Sequence, residues 1–417
     1  MSEGPARRRP AKVPEPAHAE ARQRGARRPS PGVFARPFSG CGGLCAAIVL
    51  AGLCGPAGAA PDGPSRQVDA LVRKYVRDDG PGMAVLVMKD GRVVHREGYG
   101  LADLAKKTPI VPGTNFDLAS LSKQFTGIAL MVLNDRERLA FDDDVRKHLP
   151  AMPRYDAKRP IRLRDLLTHT SGLPADYHEG STTNEAVFKR FLEAKRPLAY
   201  PTGSRHAYSN LGYAILALVV EAAGGKPYPA FLREEVFEPL GMKQTVAFAS
   251  SQVNLGPHAL GYELLPQIKP FKEGDPPDSV RERTKPENFR VWRTGVSYVV
   301  GDGGIRSNLD DLALWYEAVR NGKLAKAETW REAMTATRLP GGQKVDYGFG
   351  WGLTLEREKP IELWHGGGYG GFSALGSLSF EDRFGVLILC NIDGFEHLSA
   401  IADGIRGIYL GRKKAGK

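Results

Sequence analysis

A serine hydroxyl becomes a useful nucleophile only when a neutral base lies close to it and is held there. Ser120-Leu-Ser-Lys123 supplies both groups on one helical turn, since positions i and i+3 are neighbours on a helix surface. At a helix N-terminus Ser120 would also gain from the positive dipole end, which favours developing negative charge. Lys123 serves as a base only if burial lowers its pKa. The flanking Phe116, Leu118, Phe125, Ile128 and Leu130 offer that apolar surrounding. Ser and Lys are common, so the tetrapeptide alone is weak evidence. It is the only Ser-x-x-Lys in the chain, however, and it stands where a strongly apolar helix starts.

Two further elements carry suitable groups. Tyr208-Ser-Asn210 is the only Tyr-x-Asn among 14 Tyr, and it precedes the apolar helix expected over 211–223. A loop at a helix start can point a phenol and a carboxamide into a cleft. The plainer reading is a helix cap by Ser209 or Asn210, with Tyr208 packed outside. Trp364-His365-Gly-Gly-Gly368 ends one expected strand and approaches the next. Its glycines would let a backbone come close to a substrate, or they simply form a hairpin turn.

The elements that must position these groups follow from periodicity. Residues 66–78 read as an amphipathic helix, and 83–89 and 92–99 as strands around the Asp90-Gly91 hairpin signal. Helices follow from Ser120, over 161–168 and over 211–223. The last is closed by Gly224-Gly225. Residues 228–238 and 308–321 are helical again, and 264–290 form a polar, Pro-rich loop or insertion. Strands are expected over 347–355, 360–365, 372–380 and 384–391, then a helix over 395–410. Strands thus cluster at both ends and helices in the middle. That order predicts one mixed sheet built from both ends of the chain, with a helical region inserted. Pocket walls are expected from the 251–300 loop and the 174–200 stretch.

Composition narrows the classes. With 42% hydrophobic and 25% charged residues, the 417-residue chain is neither collagenous, coiled-coil nor wholly disordered. The net charge of +11 is uneven: residues 1–60 carry +6, so the body over 61–417 carries only +5. No basic stripe or aromatic-interleaved patch appears, which argues against nucleic-acid binding. The apolar run over 44–54, behind a basic segment and before Ala57-Gly58-Ala59-Ala60, has the pattern of a secretory signal peptide. Residues 1–60 are therefore expected to be a leader, and 61–417 an exported body, periplasmic or secreted, with no membrane span once the leader is removed. Its only cysteine, Cys390, lies in an apolar run and reads as a packed small hydrophobe. Asp142-Asp-Asp144 reads as an acidic turn rather than a cation site. No His pair has metal-ligand spacing, and neither metal nor organic cofactor is expected.

Together the three motifs resemble the serine beta-lactamase and penicillin-binding-protein family, whose motifs are Ser-x-x-Lys, Tyr-x-Asn or Ser-x-Asn, and Lys-Thr-Gly or a variant. Tyr in the second motif resembles the class C branch and its DD-peptidase, D-aminopeptidase and esterase relatives. Phe116-Asp-Leu-Ala-Ser120, Leu166-Leu-Thr-His-Thr-Ser-Gly-Leu173, Pro239-Leu-Gly-Met242 and Gly303-Gly304 resemble it too. The resemblance covers roughly residues 66–410. It implies an α/β (α+β) sandwich, an antiparallel sheet flanked by helices with an inserted helical region. It also implies an acyl-enzyme on Ser120, with Lys123 and Tyr208 sharing proton transfer. Asn210, His365, Gly366 and Gly367 would bind substrate, and the backbone N–H groups of Ser120 and Gly368 would form the oxyanion hole. The third motif departs from the pattern: His365-Gly-Gly replaces Lys-Thr-Gly and removes a fixed cation. The implied substrate is a small or peptidoglycan-like peptide, amide or ester rather than an antibiotic. The alternatives are a non-catalytic penicillin-binding sensor or scaffold, a genuine class C-like beta-lactamase, and a form tethered to the inner membrane by an uncleaved leader.

Overall fold

A computed structural model describes residues 63–174, 182–251, 254–292 and 297–411. The leader expected over 1–60 lies outside them. In chain order the framework begins with helix α1 (Pro64–Val72) and strands β1 (Met83–Lys89), β2 (Arg92–Tyr99) and β3 (Phe116–Asp117). A 3-10 turn (Ala119–Ser122) then leads into α2 (Lys123–Asp135), followed by α3 (Asn184–Ala194) and α4 (Asn210–Gly224). Short strands β4 (Val246–Ala247) and β5 (Ile305–Ser307) precede α5 (Leu309–Arg320). The chain closes with β6 (Gly352–Glu356), β7 (Lys359–Tyr369), β8 (Phe372–Ser379), β9 (Phe384–Cys390) and α6 (Leu398–Leu410).

The main sheet has the order β6-β7-β8-β9-β1-β2, with every neighbour antiparallel. It joins the first and last strands of the body as the order of elements predicts, and it is wholly antiparallel, as the family resemblance implies, rather than mixed. β1 shows why helices cover both faces. Successive strand side chains point to opposite faces. Met83, Val85 and Val87 pack with Val68 of α1 and with Ile401 and Ile405 of α6. Ala84, Leu86 and Met88 face the other way, into the larger core with α2, α4 and α5. All of these residues are buried, so a shift of register by one residue would exchange the two cores.

Two details differ from the sequence reading and both place the site. Ser120 lies in a tight 3-10 turn, one step before the α-helix proper, and Ala119 has a left-handed φ of 46°. The strand holding His365 does not end there but runs on to Tyr369, so Gly366, Gly367 and Gly368 are strand-interior residues. The 264–290 stretch also has more order than a loop. Tyr262–Leu264 pairs with Phe289–Val291, and a helix covers Pro277–Arg283. The acidic turn is ion-paired: Asp142 with Arg162 and Arg164, Asp143 with Lys147, and Asp144 with Arg146.

A backbone-to-backbone contact fixes α2 against the start of the β6 region. A Cβ at Gly127 would lie 2.3 Å from the Phe349 carbonyl oxygen. Helix propensity alone favours Ala over Gly by about 1 kcal/mol. Gly127→Ala should nevertheless lose about 1–3 kcal/mol of stability, because backbone has no rotamer with which to yield. Urea denaturation of the body checks this; a raised midpoint would remove the close approach from the argument.

Candidate active site

Lys123 is fully buried and its ammonium nitrogen has three acceptors. Nζ donates to Ser120 Oγ at 3.1 Å, to Asn210 Oδ1 at 2.9 Å and to the Asp302 carbonyl oxygen at 2.7 Å. These come from its own turn, from the first residue of α4 and from the Gly301-Asp302-Gly303-Gly304 loop. Burial lowers the Lys123 pKa to about 8. An ammonium has three N–H donors, whereas a neutral amine has two and a lone pair. The Asp302 carbonyl and the Asn210 oxygen can only accept. Loss of one proton therefore leaves the lone pair facing Ser120, the one partner that can donate in return. That is the geometry of a base poised on a nucleophile.

The sequence around each partner explains its placement. Ser209 caps α4 by accepting from the Gly212 N–H at 3.2 Å. The two readings of Tyr208-Ser-Asn210 thus combine: Ser209 caps, Asn210 reaches Lys123, and the Tyr208 ring lies beside Lys123 rather than outside. Tyr208 is 36% exposed, and its ring centroid lies 4.8 Å from Lys123 Nζ. Partial burial raises its phenol pKa, and interaction with Ser120 offsets part of that rise. Tyr208 is therefore protonated at neutral pH and able to give a proton. The loop carrying Asp302 is latched one helical turn beyond Lys123, where Thr126 Oγ1 donates to the Gly301 carbonyl at 2.6 Å.

β7 runs directly against the nucleophile's turn. A Cβ at Gly367 would lie 2.8 Å from the Leu118 carbonyl oxygen and 3.0 Å from the Ser120 nitrogen. Only glycine permits that approach. Ser120, Asn210, Asp302 and Gly368 line one cleft of about 90 Å³. Ser120 and Gly368, the two residues expected to form an oxyanion hole, thus line the same space. Val299 and Ser297 wall this cleft, in agreement with the expected 251–300 contribution. The described part of the other stretch, 182–200, lines neither this cleft nor its neighbour.

His365 lines neither this cleft nor its neighbour. It is 5% exposed; Nδ1 lies 2.5 Å from the Gly366 carbonyl, and Nε2 lies 2.9 Å from the Tyr347 hydroxyl. A carbonyl only accepts, so Nδ1 carries the proton and Nε2 accepts from Tyr347, which is the neutral imidazole. Burial pushes its pKa down to about 4, so it stays uncharged at neutral pH. Behind Tyr208 lies a second neutral histidine absent from the sequence-derived site. His169 Nδ1 accepts from the Ser209 N–H at 3.1 Å, and its ring packs, tilted, 4.3 Å from Tyr208 and 4.7 Å from Tyr347. Burial holds its pKa well below the usual histidine value. Tyr347 was also missed. Its neighbours Gly348 and Gly350, spaced in Gly-Phe-Gly, were the available signal: a Cβ at Gly350 would lie 2.4 Å from the Lys123 carbonyl oxygen.

The beta-lactamase family model matches residues 68–407. Penicillin-binding protein 4* of Bacillus subtilis (strain 168) is 29% identical over 79% of this chain and 72% of its own length. A D-aminopeptidase of Gluconobacter oxydans (strain 621H) is 26% identical over 81% of this chain. This chain spans only 60% of that relative's length. Among solved structures, the D-amino acid amidase of Ochrobactrum anthropi SV3 complexed with D-phenylalanine superposes with a TM-score of 0.68. It is 20% identical and covers 84% of this chain and 99% of its own.

The pH dependence of Ser120 follows from Lys123. The neutral amine is the base, so the rate of Ser120 modification by a fluorophosphonate should rise with pH and level off above about 8. Below that value it should fall about tenfold per pH unit, as the neutral fraction does. His365, titrating near 4, cannot produce this rise. Lys123→Met should flatten the profile. A flat profile in the unaltered protein would remove Lys123 as the base.

Proposed function

The chain belongs to the beta-lactamase family of serine hydrolases, and we propose that it cleaves an amide or ester through an acyl-enzyme on Ser120. The observation that carries this reading is the buried Lys123 amine, held 3.1 Å from Ser120 Oγ by acceptors that cannot take its place. Ser120 Oγ bonds to the carbonyl carbon while its proton moves to Lys123 Nζ. The carbonyl electron pair moves to oxygen, which the Ser120 and Gly368 N–H groups hold. The pair then returns and the C–N or C–O bond breaks. The Lys123 proton reaches the leaving atom through the Tyr208 hydroxyl. Water repeats the sequence on the acyl carbon, giving one proton to the same pair. The carboxylic acid leaves and the proton returns to Ser120 Oγ. Asn210 orients both the amine and the bound carbonyl compound.

The neutral His365 supports a peptide, amide or ester substrate over efficient antibiotic hydrolysis, because the third motif offers no cation to a beta-lactam carboxylate. The D-aminopeptidase relative supports cleavage of an amide bond. The signal-peptide pattern over 44–54 supports, in the same proposal, an activity outside the cytoplasm.

Intact mass after exposure to a fluorophosphonate should show one adduct, mapping to Ser120 and absent from Ser120→Ala. Lys123→Met should slow its formation by about 10²–10⁴-fold, the contribution of a positioned base. A separate exposure to a penicillin distinguishes branches: rapid loss of the adduct marks a beta-lactamase, and a lasting one without ester or amide turnover marks a sensor. No adduct from either reagent on folded protein would defeat the enzyme reading.

A further inference from the structure

Past Gly368 the catalytic cleft continues into a second one of about 230 Å³; the two share Asp117, Ser297 and Tyr369. Phe248, Val291, Trp292 and Phe372 make its walls largely apolar. Arg306 also lines it. The residue lies on β5, paired with Asp117 of β3, three positions before the nucleophile. Ile305 and Ser307 on either side are fully buried, so strand alternation turns Arg306 toward the cleft.

The guanidinium is held but not saturated. Its central carbon lies 4.5 Å from the Phe248 ring centroid, a cation–π distance that fixes its plane. Nε lies 3.6 Å from Asp117 Oδ2, close enough for an ion pair and too far for a good hydrogen bond. Among the described residues, buried Nε has no hydrogen-bond partner. Asp117 meanwhile spends Oδ1 on the Ala119 N–H at 2.9 Å. A guanidinium lining a largely apolar cleft, with its Nε–H not fully satisfied, is matched by a carboxylate, which accepts N–H bonds from it.

We propose that Arg306 binds a carboxylate on the acyl part of the substrate, so that the enzyme prefers acyl donors whose apolar chain ends in an anion. This rests on the acyl-enzyme reading above. Proton delivery decides which part of the substrate enters the second cleft. The leaving atom must depart beside Lys123 and Tyr208, which carry its proton, and neither of them nor Asn210 lines that cleft. The acyl chain is the part that reaches it. Asp117, the strand partner of Arg306, lies three positions from Ser120, so the two Cα atoms are at most roughly 10 Å apart, and a dicarboxylic half-ester or half-amide of about six carbons is a probe of that scale. The charge missing from the third motif is thus supplied from another strand, on the acyl side.

The test compares an aryl half-ester of adipic acid with its methyl-capped diester, alike in shape but neutral. Wild type should favour the half-ester by about tenfold in kcat/KM, typical of a charge-assisted hydrogen bond in a partly open site. Arg306→Gln should bring that ratio to about one, whatever happens to absolute rates, and Arg306→Lys should keep part of it. Adipate itself supplies a readout that needs no turnover. It should raise the melting temperature of wild type and Ser120→Ala, and not that of Arg306→Gln. Failure of the acyl-enzyme reading would leave that shift intact. A ratio of one in wild type, or an adipate shift that survives Arg306→Gln, overturns the proposal.

Discussion

An amine buried in a core must find partners in the protein, and Lys123 finds three, in three separate segments. A buried, unpaired ammonium is among the most costly groups a core can contain. The fold closes around this one from its own 3-10 turn, from the head of α4 and from the Gly301–Gly304 loop. Each partner is then fixed one step further out. Ser209 caps α4, and Thr126 binds both the Gly301 carbonyl and the Tyr228 hydroxyl. Burial that would merely cost stability elsewhere lowers the Lys123 pKa here and makes a lysine into a base near neutrality. The packing demand and the chemical demand are met by the same contacts.

Crowding is the second consequence. For three segments to reach one nitrogen, backbones must touch where side chains normally keep them apart. Gly301, with φ at 100°, leaves its missing Cβ 2.5 Å from the Tyr213 carbonyl oxygen. Gly350 and Gly367 do the same against the Lys123 and Leu118 carbonyls. The left-handed Ala119 stores strain in the same place, since a non-glycine residue there is held only by its surroundings. Gly367 of the third motif is thus explained by packing against the nucleophile's turn before any substrate is considered.

The legible part of the sequence was the part written in local spacing. Ser120 and Lys123 are three residues apart, Tyr208 and Asn210 two, and the strand alternation around Asp90-Gly91 announces its own hairpin. What escaped depends on pairing across the chain. The role of His365 is set by Tyr347, and that of His169 by the Ser209 N–H and the ring of Tyr208. No spacing rule connects those positions. The same holds for Arg306, which faces Asp117 only because β3 and β5 pair. Local propensity also misplaced two boundaries. The apolar pattern from Ser120 onward cannot distinguish a 3-10 turn from a helix start, and three glycines in a row resemble a turn until a sheet neighbour is present to hold them extended.

The distribution of charge joins these features. The groups behind Tyr208 are kept neutral: His365 and His169 are both buried, and the nearby Lys123 charge pushes both down further. A protonated imidazole there would oppose a protonated Lys123 in turn, and the relay would lose its ability to carry a proton back to Ser120. The Arg306 guanidinium lines the second cleft, where Asp117 at 3.6 Å offsets it. Charges in low-dielectric surroundings act over longer distances than in water, so this separation matters more inside the protein than the same spacing would at its surface. A proton relay that changes its charge during each turnover, and an anion-binding residue that must not, can share one cleft only if the nucleophile stands between them. The Asp117-Leu-Ala-Ser120 segment provides that arrangement within four residues.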